Sequence, residues 1–264
     1  MSQTNQRSAR YFLSLLLLNP LFPFAVEAQV PSRAKPLFRS TTITESGSYR
    51  LIESFSSASA IVIQADNVTL DLDGHSMTGP GNKQGIGVSI EGANNVRVHN
   101  GHLSDFGIGV RVMNSANVQL DGLQINGHDL GGTPPDIEIG VLILNSRAVV
   151  VENNAISRTF LGIFVRGGSS AGNRIAGNTL TGGNNGALAI CYNPATAVGA
   201  DPAPQGDLVE GNLISRFNIG IATSIATAGN VFRNNAIAYF GMAVNENTPG
   251  ANIFLDNQTI QIIP

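Results

Sequence analysis

The chain has 264 residues, of which 12% are charged, 30 are glycine, one is cysteine and none is tryptophan. Fifteen Lys+Arg against 18 Asp+Glu give a formal net charge of -3, which argues against a nucleic-acid partner, since that would demand a basic face. The lone Cys191 allows no internal disulfide, and so little charge beside so much glycine is unlike an ordinary mixed α/β enzyme.

In chain order, Arg7 and Arg10 precede the apolar run "YFLSLLLLNPLFPFAV", and Val26 and Ala28 stand at the small-residue spacing of a cleavage site. Residues 1–28 therefore read as a signal peptide and the protein as secreted or periplasmic. Asn19, Pro20 and Pro23 interrupt the run, so no stable membrane insertion is expected. The leader carries two arginines and one glutamate, leaving 13 cations against 17 anions, a net charge of -4. Residues 29–60, with "TTITESGSYRLIESF", read as an amino-terminal cap, and residues 61–264 as one domain.

From there a unit recurs. "NVRVHNGHL" at 95–103 returns as "NVQLDGLQI" at 117–125. The last apolar residues of successive units are Met77, Leu103, Ile125, Ile156, Leu180, Ile214, Ile237 and Ile260, with spacings of 26, 22, 31, 24, 34, 23 and 23. A kept period of 22 to 24 marks a solenoid. Each unit holds three short strands of period-two alternation. The first follows a glycine-rich entry ("GIGVSI", "GIGVRV", "LGIFV"), so that Val88 and Ile90 point inward and Ser89 outward. The second is the "NVxV" strand, and the third ends on the anchor residue. Asn100–Gly101, Gly122, Asn153–Asn154, Gly177–Asn178, Gly211–Asn212 and Asn234–Asn235 stand between the second and third. They supply the left-handed backbone of a sharp corner, and stacked asparagines can bond to one another.

These coils resemble the right-handed parallel β-helix (pectate lyase-like) proteins, the architecture of pectate lyases, polygalacturonases, alginate lyases and mannuronan epimerases. The resemblance covers about 200 residues and implies an all-β, single-stranded right-handed solenoid of about eight coils. Catalytic signatures of those families do not carry over. The "NTD", "DD" and "GHG" of polygalacturonases, the "DPHD" of epimerases and the "RxPxxR" of pectate lyases are absent from the sequence.

Two long spacings locate insertions at 126–138 and 191–206, both bordering the first-strand sheet and together able to wall a groove over it. Its floor is read from the outward positions Ser89, Arg111, Leu142, Phe164 and Ala189, with Arg166 and Tyr192 one step beyond. His128, Asp129, Asp136 and Glu138 stand on the rim. Arg111, His128, Asp136, Glu138, Arg166 and Tyr192 form the candidate catalytic set, because such groups move protons or stabilise charge when placed together. Ser89, Leu142, Phe164, Ala189 and Asp129 are the candidate substrate contacts.

A second outward column, Asp73, His99, Asp121, Glu152, Ala176, Glu210, Arg233 and Asp256, puts His99 between two carboxylates, with His75 and His102 nearby. No metal is assigned, His99 and Asp121 being weak candidates, and opposite charges on stacked strands equally serve register. No cofactor is expected.

Three readings follow. The first is an exported enzyme acting on a glycan by proton abstraction, of lyase or epimerase type. The second is an isomerase or cyclase working on a smaller, partly apolar molecule. The third is a non-catalytic envelope or carbohydrate-binding module. The expected partner is a glycan or small-molecule ligand, with homo-oligomerisation through the carboxy-terminal coil.

Overall fold

The structure is a computed structural model and describes residues 34–128, 137–184, 186–193, 204–224, 227–246 and 250–262. The signal-peptide reading of residues 1–28, together with Asp129 and Asp136, lies outside the described residues.

The described chain winds as a right-handed parallel β-helix. Its first-strand sheet stacks Ile61–Ile63, Ile86–Glu91, Ile108–Met113, Ile139–Leu144, Leu161–Arg166 and Leu188–Asn193, then the later halves of Leu213–Thr223 and Ala236–Glu246. A second sheet runs from Lys35–Leu37 and Gly47–Leu51 through Val68–Asp71 to Ile253–Leu255. The third runs from Phe55–Ser56 through Ser76–Thr78 and Ala155–Ser157 to Gln258–Gln261. Strands within residues 35–56, where the sequence suggests a cap, pair in parallel with the strands of the following coils.

Alternation explains the interior. Val88, Ile90, Val96, Val98 and Leu103 of one coil lie fully or almost fully buried on Val110, Val112, Val118, Leu120 and Ile125 of the next. Each such side chain withdrawn from water contributes roughly 1.5–3 kcal/mol. Stacked aliphatic residues of like shape fill the tube.

Corners take the residue types that their backbone requires. Asn100, Gly122, Asn153, Gly177, Gly211 and Asn234 all have φ between 54° and 62°, the left-handed region that Gly and Asn enter most cheaply. Just inside this corner runs the asparagine ladder Asn154–Asn178–Asn212–Asn235–Asn257. Each backbone N–H and side-chain amide donates to the next Oδ1 at 2.9 to 3.1 Å. The stacking anticipated from the sequence is thus present. A serine ladder at the corner before the second strands has no counterpart in the sequence reading: Ala93 N–H donates to Ser115 Oγ, Ser115 N–H to Ser146 Oγ and Ser146 N–H to Ser170 Oγ.

Register corrects three readings. The anchors Met77 through Ile237 stack as expected, but Ile237 pairs with Thr259, and Ile260 is 70% exposed. In the second-sheet column the partner of His99 is Asp71, not Asp73, and that of Arg233 is Leu255, not Asp256. Asp73 and Asp256 each have φ of 50°, which places them in the corner rather than on the strand. The third correction, at Ala189, belongs to the candidate site.

Candidate functional site

The outward column of the first-strand sheet is Ser89, Arg111, Leu142, Phe164 and Cys191, and the column beside it is Glu91, Met113, Leu144 and Arg166. Four of the five predicted floor positions are therefore in place. Ala189 is not. It is fully buried in the coil-entry column that holds Gly87, Gly109, Gly140, Gly162 and Gly220, where a β-carbon on Gly162 would lie 2.7 Å from Leu180 Cδ2. Cys191 takes its place on the floor. Burial pushes the Cys191 thiol up to about 12, so it sits as an inert thiol rather than a nucleophile.

Arg111 is clamped. Its Nη2 donates to Glu91 Oε1 at 2.6 Å and its Nε to Ser89 Oγ at 3.0 Å. Ser89, wholly buried beneath it, donates to the same Glu91 oxygen at 2.8 Å. The Ser89 hydroxyl and Arg111 hold the Glu91 carboxyl below its usual range, with Gln64 adding a weaker bond. Arg111 therefore has its charge answered within the sheet.

Past Arg111 the surface turns apolar. Met113, Leu142, Leu144 and Phe164 are all half-buried and adjacent through two columns. Arg166 closes this strip and makes no ion pair with a described residue. An apolar strip ended by a cation suits a ligand with an apolar face and an anionic group.

Tyr192 does not belong to the groove. It is 1% exposed and points into the tube, its ring edge-on to Phe232 at 5.7 Å between centroids. Its hydroxyl lies beside Asp207 without satisfying hydrogen-bond geometry. Burial, and then the Asp207 charge, drive the phenol well above its ordinary range. The strand register accounts for this: Leu188–Asn193 pairs Ile190 with Ile163 and Tyr192 with Val165, both inward, while Asn193 stands beside Arg166.

At the entry end of the sheet, Glu138 is 1% exposed and accepts the backbone N–H of His128 at 3.0 Å. It ties the two ends of the first insertion together and is not a rim acid. His128 stays accessible, with Nδ1 2.6 Å from Asp105 Oδ1 in a close but bent approach, and with Gly81 against the ring. Asp105 went unnoticed in the sequence because it stands in a corner, with φ of 64°, outside any alternating strand.

On the second sheet His99 does stack between Asp71 and Asp121. Both oxygens of Asp121 are taken by Arg97, at 2.9 and 2.8 Å, while His99 Nδ1 lies 3.8 Å from Asp71. Arg174 continues the pattern by bridging Glu152 and Glu210, and Arg233 also binds Glu210. The column is a salt-bridge ladder. Among the described residues no group of three or more His, Cys, Asp or Glu side chains could hold a metal ion.

Several concavities lie off the first-strand sheet, one of about 630 Å³ around Lys35, Arg50 and Ile52 at the amino-terminal end. Another of about 550 Å³ is bordered by Asn184, Arg216, Asn218 and Phe240. A third, of about 360 Å³, lies over the third sheet around His102, Gln124 and Asn126.

With the geometry in place, the chain can be set beside known proteins. No curated protein matches it. A tailspike mutant of E. coli bacteriophage HK620, in complex with a pentasaccharide, superposes with a TM-score of 0.60 at 12% identity over 83% of this chain and 46% of its own. The Dettilon tailspike gives 0.54 at 13% identity, over 86% and 54%. An exopolygalacturonase from Thermotoga maritima gives 0.53 at 8% identity, over 80% and 65%. This chain thus spans about half the length of the two tailspikes, and likeness at such identities is of fold alone. The family model "Right handed beta helix region" matches residues 37–201, and it is to this family that the chain belongs.

Proposed function

We propose that the chain acts on a glycan bearing carboxylates, held across the first-strand sheet. The observation that carries this reading is the strip Met113, Leu142, Leu144 and Phe164, ended by Arg166 with no described counter-ion. Pyranose rings present apolar C–H faces to such side chains, and a guanidinium pairs a carboxylate in fork geometry. Two fold relatives agree with the substrate class: one tailspike is in complex with a pentasaccharide, and another relative is named an exopolygalacturonase.

In the enzymatic form of this reading the reaction is elimination or epimerisation. A base removes the proton on the carbon beside the carboxylate, and a cation stabilises the resulting enolate. His128, accessible and next to Asp105, is the remaining proton acceptor of the predicted set among the described residues. Arg111, Glu138 and Tyr192 leave that set, since each is engaged or enclosed by the fold. His128 stands before Ile139–Leu144, whereas Arg166 ends Leu161–Arg166. The two lie at opposite ends of the strands, so Arg166 would anchor a carboxylate on a different sugar from the one that His128 deprotonates, and it is not the cation beside the enolate.

The clamped Arg111 and enclosed Tyr192 favour a second reading, a non-catalytic carbohydrate-binding module. One experiment separates the two. Calorimetry with uronate and neutral oligosaccharides is run beside an ultraviolet assay for the unsaturated product of elimination and a proton-exchange assay for epimerisation. Arg166→Ala and Phe164→Ala should each weaken uronate binding about tenfold. His128→Ala should abolish turnover and leave affinity intact. Turnover absent from the native chain while binding persists selects the module, and binding by neither class of sugar overturns both.

Export also belongs to this proposal: cleavage after Ala28 and an extracytoplasmic location, checked by the amino-terminal mass of the mature protein. So does self-association through the last coil, where Ile253, Leu255 and Ile260 are 51%, 48% and 70% exposed; a monomeric mass in solution removes it.

A further inference from the structure

A second internal ladder stands where the first-strand sheet turns into the second. It runs Asn173, Asp207, Asn230, Asn252 and ends on Glu246. One member is an aspartate, 1% exposed.

The bonding is irregular at that step. In the neighbouring ladder each Oδ1 of Asn178, Asn212, Asn235 and Asn257 receives two bonds, one from a backbone N–H and one from a side-chain amide. Asn252 Oδ1 likewise receives both from Asn230. Asn230 Oδ1 receives only the backbone N–H of Asp207, at 2.8 Å, because an ionised carboxylate has no hydrogen to give. Above it the carboxylate is well served, with Asn173 N–H donating to Oδ1 at 2.8 Å and Asn173 Nδ2 to Oδ2 at 3.1 Å. Tyr192 faces Asp207 from inside the tube, its buried hydroxyl lacking a partner of proper geometry.

We infer that Asp207 is a pH-sensitive step in the ladder: its protonated form supplies the donor that asparagine supplies at the other steps of this ladder and so tightens the solenoid in mildly acidic surroundings. Neutral Asp207 is isosteric with asparagine and carries one O–H, enough for the missing bond. Loss of the proton leaves a negative charge inside the tube and the ladder one bond short.

The proton affinity of the group agrees with this geometry. Burial raises the Asp207 carboxyl from 3.8 to about 6, against the pull of the Asn173 bonds and of Tyr192. Among the described residues the groups facing it are Asn173 from the coil before, Asn230 from the coil after and Tyr192 across the interior. The ladder's only other described carboxylate, Glu246, is separated from it by Asn230 and Asn252. No cation is among the causes acting on it. A folded-state value above the unfolded one means that the stabilisation is complete below 3.8 and is lost as pH rises through about 6. Most buried carboxylates with cationic partners show the opposite slope.

The test compares the native chain with Asp207→Asn, which carries the donor at every pH. Denaturant unfolding at about pH 4 and about pH 8 should show the ratio of their folding constants changing roughly a hundredfold in favour of Asn at the higher pH, as a displacement of two pKa units requires. Parallel pH profiles overturn the inference. Should Asp207→Asn fail to fold, carbon-13 titration of the native Asp207 carboxyl decides. A midpoint near 6 supports the switch. A midpoint near 3.8 refutes it.

Discussion

Arg111 Nη2 lies 2.6 Å from Glu91 Oε1, one coil below and two positions further along the strand. The contact turns what the sequence offers as a free substrate cation into part of the wall. It also sets Arg111 apart from Arg166, which has no described anion.

Neutralising Glu91 should release Arg111. In Glu91→Gln the guanidinium keeps Ser89 and loses its charge partner, so affinity for a uronate oligosaccharide is expected to rise severalfold, read by calorimetry. The native Glu91 carboxyl is held below its usual 4.5. Its contribution to stability is therefore present above that value and lost as pH falls through the lower, folded-state value. Acid unfolding of Glu91→Gln should accordingly be less steep.

Removing one rung of the inner ladder should be costly. Asn178→Ala leaves Asn154 N–H without its 3.0 Å acceptor and Val151 O without its 2.8 Å donor. Each buried unsatisfied group costs about 1–3 kcal/mol, so a loss of roughly 3 kcal/mol or more is expected by denaturant melts. The exposed Gln124, on the third sheet, should tolerate alanine within about 0.5 kcal/mol.

The coil-entry glycine Gly140 is required by space. A β-carbon on Gly140 would lie 2.5 Å from Ile156 Cγ2 and 2.6 Å from Gly162 O. Gly140→Ala should destabilise by about 1–3 kcal/mol through overpacking, visible as a lower melting temperature with unchanged secondary-structure content.

The outer salt-bridge ladder should matter little at neutral pH and moderate salt. Glu210, held between Arg174 and Arg233, has its carboxyl lowered first by Arg233. Glu210→Gln is expected to cost no more than about 1 kcal/mol, and molar salt should shrink the difference. The difference should begin to shrink below pH 4.5 and be lost as pH falls through the lower, folded-state value, where the native carboxyl takes up its proton.

By itself the sequence determined the coil. The 22-to-24-residue period, the alternation at Val88–Ser89–Ile90 and the Asn and Gly corners are local signals, since each follows from backbone geometry within a few residues. Tertiary structure decided which side chains are available. In the segment "ALAICYN" the entry glycine is replaced by Ala189, and only pairing with Leu161–Arg166 fixes the frame. Phe164 pairs with Cys191, two positions past Ala189, and Arg166 with Asn193, one past Tyr192; a slip of one position exchanges inside for outside, which is how Tyr192 reached the core. Charge pairing was hidden for a related reason. Glu91 and Arg111 are 20 residues apart, and Asn173 and Asp207 are 34 apart. Such partners become neighbours only when successive coils stack about 4.8 Å apart.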